Sequence, residues 1–395
     1  MTPPTTFLDA MSTRFSFFRR SFGTAVLGLL LLGFFLPVHA QEDDEESFPT
    51  IDFGVNVMQS AQYISIDQND TDPLVGFHAI RAGLNANVQF SDRVSALVMI
   101  ESEPNDFGGL SAASQFQPQM DFVILDLVLT DELTLRTGTP VTGLMNFRGF
   151  SDGPVTQGNP MIGNSPADMI TAGQGVKLIG EFESFGFDLT VNRGFGESIS
   201  TLQGGNTGVN LIGKIRVPVS EGIQVGAGVA TQTGQQALVF ANGDGENYNL
   251  ANTGTASSAR NTHAQMPNET IFHADGKLTR GPADVDLWAG YATQSDGYGD
   301  GEDYQALFVG AGLKVNLSQD FYAAGRFTYV GDQSDAVDNL DDTSLNRFQI
   351  GIGYEVYERA LFKVEYVNQS EGDETALSGI GDNWQGVTTE LSFNF

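Results

Sequence analysis

The C-terminal segment VTTELSFNF (residues 387–395) alternates between apolar and polar side chains along its whole length. One parity is apolar except for Thr389 and ends in Phe395, whereas the other parity is entirely polar. Alternation with a period of two indicates a β-strand that has one face in an apolar environment. A disordered tail has no such pattern. The sequence therefore predicts that the chain ends in a strand of a sheet.

The same alternation recurs throughout the chain. We assign sixteen segments of this kind, at residues 51–65, 76–90, 93–101, 120–130, 133–141, 175–183, 185–193, 208–218, 222–232, 270–280, 283–293, 304–317, 320–331, 345–357, 360–368 and 386–395. Most of them are long enough for the ~9–11 residues that a tilted strand needs to cross a bilayer. Strands of soluble proteins are usually nearer to ~5–6 residues.

The connections between these segments alternate between short and long. The short ones are 91–92, 131–132, 184, 219–221, 281–282, 318–319 and 358–359, and the long ones are 66–75, 102–119, 142–174, 194–207, 233–269, 294–303, 332–344 and 369–385. Transmembrane barrels have this asymmetry, with tight periplasmic turns on one rim and long external loops on the other. We therefore predict an all-β fold, a transmembrane antiparallel β-barrel of about 16 strands that encloses an aqueous channel.

A soluble all-β sandwich or repeat array is the alternative, because sandwich strands also alternate. A sandwich gives no reason for loop lengths to alternate over seven hairpins. A soluble chain of this length also tends to divide into domains, and the sequence contains no evident linker.

The N-terminus has the features of an export signal. Three arginines precede the apolar run SFGTAVLGLLLLGFFLP, and the small-residue site VHA stands before Gln41. This order of basic, apolar and cleavage regions predicts a signal peptide at residues 1–40. A transmembrane anchor is the alternative. After a signal peptide at 1–40, we predict an acidic segment at 41–50 and the barrel at 51–395.

Composition excludes several classes of partner. Without residues 1–40 the chain loses three arginines and one aspartate, which leaves 16 basic and 48 acidic side chains. Such a negative protein is unsuited to a nucleic-acid backbone. The acidic excess is explained by a saline habitat or by a cation-attracting surface. The chain has no cysteine, which excludes disulfides and a lipoprotein anchor.

At this point the chain resembles the outer-membrane porins of Gram-negative bacteria. The closing LSFNF, with Phe393 and Phe395, resembles the C-terminal assembly signal of that family. The segments LTLRTGTPVTG (133–143) and GQGVKLIGEFESFGFDLTVNRGFG (173–196) resemble the phosphate-selective porin O/P-like group. Gly138, Pro140 and Gly143 match that group, but Thr139 stands where it often has a basic or aromatic residue. The resemblance implies contact with outer-membrane lipid and the barrel-assembly machinery, and a homotrimer.

Strand parity gives candidate pore-lining residues, since charges facing lipid cost about 2–4 kcal/mol near the bilayer centre. In sixteen-stranded porins the loop after the fifth strand folds into the barrel, which the resemblance assigns here to 142–174. With Arg148 from that loop, the candidates are Arg81, Arg136, Arg148, Lys177, Lys214, Arg216, Arg326, Arg347, Glu181 and Glu183. Inward acids and bases are nearly balanced. The basic residues would form a modest phosphate-binding strip or simply pair with carboxylates such as Glu181 and Glu183.

The function predicted from the sequence is passive diffusion of small hydrophilic solutes or ions through an outer-membrane porin. The resemblance adds a preference for anions or phosphate, and the alternative is a non-specific or cation-preferring porin. An outer-membrane barrel enzyme or a surface structural protein is a second alternative, although no nucleophile or metalloprotease motif is present. We expect no cofactor. Acid-rich segments at 242–247, 296–304 and 332–342 are either solvated loops or Ca²⁺ ligands, without the spacing of a dedicated calcium loop.

Overall fold

The computed structural model describes residues 48–66, 73–102, 119–141, 144, 160–162, 169–170, 173–192, 209–233, 239–240, 269–299, 302–333, 344–371 and 383–395. These residues contain sixteen barrel strands, numbered here β1 to β16. In chain order they are Thr50–Ile66, Leu74–Ser91, Val94–Ser102, Gln119–Val128, Leu133–Val141, Gly173–Glu181, Gly186–Asn192, Val209–Ser220, Ile223–Thr233, Glu269–Arg280, Ala283–Gly299, Glu302–Asn316, Phe321–Asp332, Ser344–Tyr357, Ala360–Glu371 and Trp384–Asn394.

Every barrel strand pairs with the strands before and after it in the chain, and β1 pairs with β16 to close the barrel. The pairing is antiparallel throughout. The predicted fold class is therefore confirmed. The predicted signal peptide and most of the predicted acidic segment lie outside the described residues. Within the described residues, no helix is long and apolar enough to cross a membrane.

The strand ends agree with the sequence patterns to within three residues, except that β11 continues to Gly299. Its pairing with β12 shifts register between Gln294 and Gly299. The extension follows Thr293, where the predicted segment ended, and it is polar. An apolar pattern reports only the part of a strand that faces lipid, so the sequence missed this extension. It also missed a two-stranded ribbon in which Met169–Ile170 pairs with Val239–Phe240.

Burial in the barrel is reversed relative to a soluble protein. On β14, Arg347 and Gln349 are buried, whereas the side chains of Phe348 and Ile350 are 47% and 52% exposed. The same parity runs around the barrel, with apolar side chains on the outside and most charged ones on the inside. An apolar outer surface this continuous is stable only against lipid. It excludes the soluble sandwich.

The closure between β1 and β16 includes the last residue of the chain. Val55 and Phe395 exchange two backbone hydrogen bonds, each 2.8 Å from nitrogen to oxygen. The rings of Phe393 and Phe395 stack with centroids 6.2 Å apart. The terminal residue is thus part of the sheet, as the sequence predicts, whereas its role as an assembly signal stays a prediction.

Gly138 of β5 occupies a position that only glycine fits. Its φ is +128°, and a Cβ there would lie 1.9 Å from the carbonyl oxygen of Val123 on β4. Both the left-handed backbone and the close approach of two strands exclude a side chain. The structure of the sheet therefore requires a glycine at position 138.

We expect Gly138→Ala to lower the free energy of unfolding of the barrel by about 1–3 kcal/mol, the range for a strained backbone residue. The measurement is the urea concentration that unfolds the protein in detergent micelles. Gly276→Ala is the control, because a Cβ at that lipid-facing position has no neighbour nearer than 3.9 Å. Equal stability of the two variants would contradict this explanation.

Candidate functional site

The inward face of the barrel is the candidate functional site. The structure places Arg136, Lys177, Lys214, Arg216, Arg326, Arg347 and Glu181 on this face, by strand register and by burial. The backbone of Arg81 pairs with Met58 of β1, but its side chain is outside the described ones, as is the whole of Arg148. The seven side chains that the structure places on the inward face lie in two separate sectors of the barrel wall.

One predicted position is wrong. Glu183 was assigned to the inward face of a strand ending at that residue, but β6 ends at Glu181. Glu183 lies in the exposed turn before β7, and Phe182 stacks on Phe185 across that turn with ring centroids 5.0 Å apart. Two aromatic residues at the rim stop the strand earlier than the alternation indicates.

The first sector begins with a paired arginine. Arg136 of β5 donates to Asp126 of β4 in a bidentate arrangement, with Nε–Oδ1 and Nη2–Oδ2 distances of 2.8 and 2.7 Å. The two residues are direct cross-strand partners. In the sequence Asp126 only interrupts an apolar stretch, and its inward parity opposite Arg136 was the signal that would have identified it. Bidentate pairs of this kind are among the stronger ion pairs.

The next strands continue the same sector. Lys177 of β6 stands opposite Arg136 in register, and like charges directly opposite each other are destabilising. Asp188 of β7 offsets this repulsion, with Oδ2 3.1 Å from the Lys177 ammonium. Arg216 lies 2.6 Å from Glu181 and 3.2 Å from Asp188. Three cations and three carboxylates therefore form one network over β4 to β8.

A further group on this sector joins the predicted Lys214 to two residues, His273 and Asp275, that were not among the predicted site residues. Lys214 pairs with Asp275 of β10, and His273 Nε2 lies 2.8 Å from the same carboxylate. The imidazole stacks on Phe308 with centroids 6.2 Å apart. His273 and Asp275 are two apart on one strand, so they share the inward parity, and that spacing was the available signal.

The second sector uses amides rather than carboxylates next to arginine. Arg326 Nε donates to Gln349 Oε1 over 2.8 Å, and Gln349 in turn donates to Glu365 over 2.8 Å. Arg347 Nε donates to Gln369 over 2.6 Å and lies 5.3 Å from the centroid of the Trp384 ring. Lys363 and Glu390 form a buried ion pair of 3.0 Å. This sector covers β13 to β16.

Residues from the predicted inward loop contact this second sector. The hydroxyl of Tyr322 donates to the carbonyl of Pro160 over 3.0 Å, and the backbone N–H of Ile162 donates to Glu365. Met161 packs with Tyr322, Ala324 and Leu361. Leu144 packs in a separate apolar cluster on inward positions of other strands, including Ile212 and Phe308. The rest of 142–172, apart from Met169–Ile170, lies outside the described residues.

Comparison with known proteins identifies the architecture. No protein-family model and no curated protein sequence matches the chain. Solved structures do match. The anion-selective porin of Comamonas acidovorans aligns with a TM-score of 0.58 at 12% identity, covering 88% of this chain and 100% of that one. The chain has the fold of outer-membrane porins.

Two further structures extend this result. The outer membrane channel DcaP of Acinetobacter baumannii aligns with a TM-score of 0.56 at 13% identity, covering 89% of this chain and 99% of that one. OmpT of Vibrio cholerae, an outer membrane protein in its trimer form, aligns with a TM-score of 0.56 at 13% identity, covering 88% of this chain and 100% of that one. With its apolar outer surface, a barrel of this fold resides in the bacterial outer membrane, as the sequence predicts.

We expect Asp126→Asn to shift the ion preference of the protein toward anions, because it leaves the Arg136 guanidinium without its carboxylate. The measurement is the zero-current potential across a planar bilayer in a KCl gradient. Asp52→Asn is the control, since Asp52 lines the same inward cavity as Asp126 and Arg136 and the change in net charge is equal. An equal shift in both variants would mean that net charge, and not the release of Arg136, sets the preference.

Proposed function

We propose that this protein is an outer-membrane porin, a channel for passive diffusion of small hydrophilic solutes and ions. The observation that carries the proposal is the closed barrel of sixteen described strands with an apolar outer face and a charged inner face. A barrel of this size is wide enough to enclose an aqueous passage. Solutes would cross down their own gradients without a cofactor or an energy source.

The wall charges favour weak ion selectivity within this proposal. Arg136, Lys177, Lys214 and Arg216 each lie beside a carboxylate, so little uncompensated positive charge faces the lumen on that sector. Binding of phosphate needs convergent donors that are not already spent on carboxylates. A non-specific channel therefore fits this wall better than a phosphate-selective one.

Anion preference is the second candidate function, and one observation favours it. Arg136 and Lys177 face each other across β5 and β6 in spite of their repulsion, and Arg216 is part of the same network. A site that tolerates adjacent cations attracts anions when the carboxylates are screened or displaced. The solved porin of Comamonas acidovorans is described as anion-selective, which is a property of that protein.

We propose that 142–174 narrows the passage. The contacts of residues 160–162 with Tyr322 and Glu365 on the second sector support this role, because 144 and 160–162 then reach different parts of the wall. Arg148 would lie in this narrowed region. The width of the space between the loop and the first sector would then limit the size of the solutes that pass through the channel.

The remaining proposals concern export and assembly. We propose a signal peptide at 1–40 and a homotrimer, for which the trimer form of Vibrio cholerae OmpT offers a structural precedent. Phe393 and Phe395 would direct the chain to the barrel-assembly machinery. A barrel enzyme and a closed structural protein are the competing functions, and conductance separates them from a channel.

We expect the purified protein to give stepwise conductance increases in a planar bilayer, with a zero-current potential well below the value for a fully selective pore. Arg136→Ala combined with Lys177→Ala should move that potential toward cation preference, because two cations leave the wall while Asp126 and Asp188 remain. Strong anion preference that the double variant abolishes would favour the second candidate. Silence at all voltages together with hydrolysis of lipid or peptide would contradict the channel.

We expect Tyr322→Phe to increase the frequency of brief closures in single-channel records. The variant loses only the hydroxyl that donates to Pro160, worth about 1 kcal/mol as a net hydrogen bond, so the loop would be held less firmly. Tyr354→Phe is the control, because its ring faces lipid and is 47% exposed. Identical closure rates in the wild type and in both variants would contradict an anchoring role for Tyr322.

A further inference from the structure

A cavity lies on the inward face of β1 to β5, at the end of the barrel that carries the short turns. Its volume is about 330 Å³, within the range of about 300–1,000 Å³ for small-molecule sites. We call it the rim cavity. Its row of side chains nearer to the turns consists of successive cross-strand partners, Thr50, Gln89, Ser95, Asp126 and Arg136. Its deeper row is paired in the same way and consists of Asp52, Asn87, Leu97 and Ile124.

The polar groups of the rim cavity are accessible within the part of the chain that the structure describes. Asp52 and Asn87 are exposed, and the side chains of Arg136 and Asp126 are 33% and 22% exposed. These residues are on the inward face of a closed barrel, so their exposed atoms face its interior. A solute in the passage can therefore contact them directly.

The two ends of the rim cavity carry opposite charges with bonding capacity left over. At the β1 end, the Asp52 carboxylate has no ion pair or hydrogen bond to any described residue. At the β5 end, Arg136 uses Nε and Nη2 to bind Asp126. A guanidinium has five N–H donors, so the edge formed by Nη1 and Nη2 still has donors for a second carboxylate. Forked donation of this kind is a preferred geometry for carboxylate binding.

The middle of the rim cavity is uncharged. Asn87 and Ser95 have no printed side-chain partner among the described residues and supply an amide and a hydroxyl. The amide of Gln89 donates to the backbone of Ser91, which leaves its carbonyl oxygen as an acceptor. Leu97 and Ile124 add apolar surface in the deeper row. A ligand that spans the cavity therefore meets amide partners and apolar contacts between its charged ends.

The separation of the charged ends sets the length of that ligand. The Arg136 guanidinium turns back to Asp126 on β4, three strand spacings from Asp52 on β1. At about 4.8 Å per spacing this is roughly 14 Å between backbones around the wall. The Asp52 side chain and a hydrogen bond at each end occupy part of that distance. The remainder fits two or three residues of extended peptide, at about 3.4 Å each, whereas a single amino acid is too short.

We infer that the rim cavity binds short zwitterionic peptides of two or three residues. The peptide ammonium binds Asp52, the terminal carboxylate binds the free edge of Arg136, and the peptide amides contact Asn87, Gln89 and Ser95. The two carboxylates and one guanidinium of the cavity sum to one negative charge, which disfavours a simple anion. A simple cation leaves the Arg136 edge unused. As a site for passing solutes, the rim cavity rests on the proposed channel function.

The test measures binding without relying on conductance. Trialanine is titrated into the purified full-length protein in detergent micelles, and binding is followed by saturation-transfer NMR. N-acetyl-trialanine lacks the ammonium, and trialanine amide lacks the carboxylate. We expect both capped forms to bind the wild-type protein about fivefold or more weakly than trialanine, as for the loss of a partly exposed charged contact. This comparison needs no protein variant.

Variants then assign each end of the peptide to its partner. Asp52→Asn should weaken trialanine and trialanine amide about fivefold but leave N-acetyl-trialanine unchanged. Arg136→Gln combined with Asp126→Asn removes an ion pair without changing net charge, and it should weaken only the two peptides that have a free carboxylate. Asp284→Asn is the matched control, because Asp284 lies on β11 outside the rim cavity and accepts a hydrogen bond from Thr279. It should bind trialanine as the wild type does.

Three results would overturn the inference. They are equal affinity of the wild type for trialanine and both capped forms, equal weakening of trialanine by Asp284→Asn and Asp52→Asn, and equal weakening of N-acetyl-trialanine and trialanine by Asp52→Asn. Stepwise conductance together with any of these results would reject the peptide site and keep the channel. The predicted binding pattern without conductance would support the site and reject the channel function.

Discussion

The structure depends on the absence of water from the hydrocarbon core of a membrane, which leaves no partner for an unpaired backbone group. A sheet can satisfy every strand there only by closing on itself, so β1 must pair with β16. The bonds between Val55 and Phe395 bring the last residue into that closure. The alternation of side chains follows, because each strand then has one face toward lipid and one toward the interior.

The same constraint explains how far the sequence predicts the fold. Lipid demands an apolar residue at every second position of all sixteen strands, so the pattern is strong and the strand ends come out nearly correct. The polar end of β11 and the short ribbon at Met169–Ile170 lie under no such demand, and the sequence does not reveal them. Glu183 was misplaced because alternation continues for two residues into a turn.

The candidate site was less predictable, because parity gives the face of a residue and not its partner. Parity correctly placed Arg136 and Lys177 inward, but the pairing of Arg136 with Asp126 depends on the register of a hairpin. The contacts of Pro160 and Ile162 join residues 162 and 203 positions apart, which no local pattern encodes. Charge pairing within the wall is what turns a basic strip into a nearly neutral one and favours weak selectivity.

The central claim is that the inward parity faces water and the outward parity faces lipid. The chain has no cysteine, so single cysteines can be placed on β3 at the inward residues Ser95 and Leu97 and at the outward residues Ala96 and Val98. The measurement is labelling by a water-soluble thiol reagent in bilayers. The account predicts that the two inward cysteines react and that the two outward ones do not. Equal labelling of all four, or labelling of the outward pair alone, would contradict it.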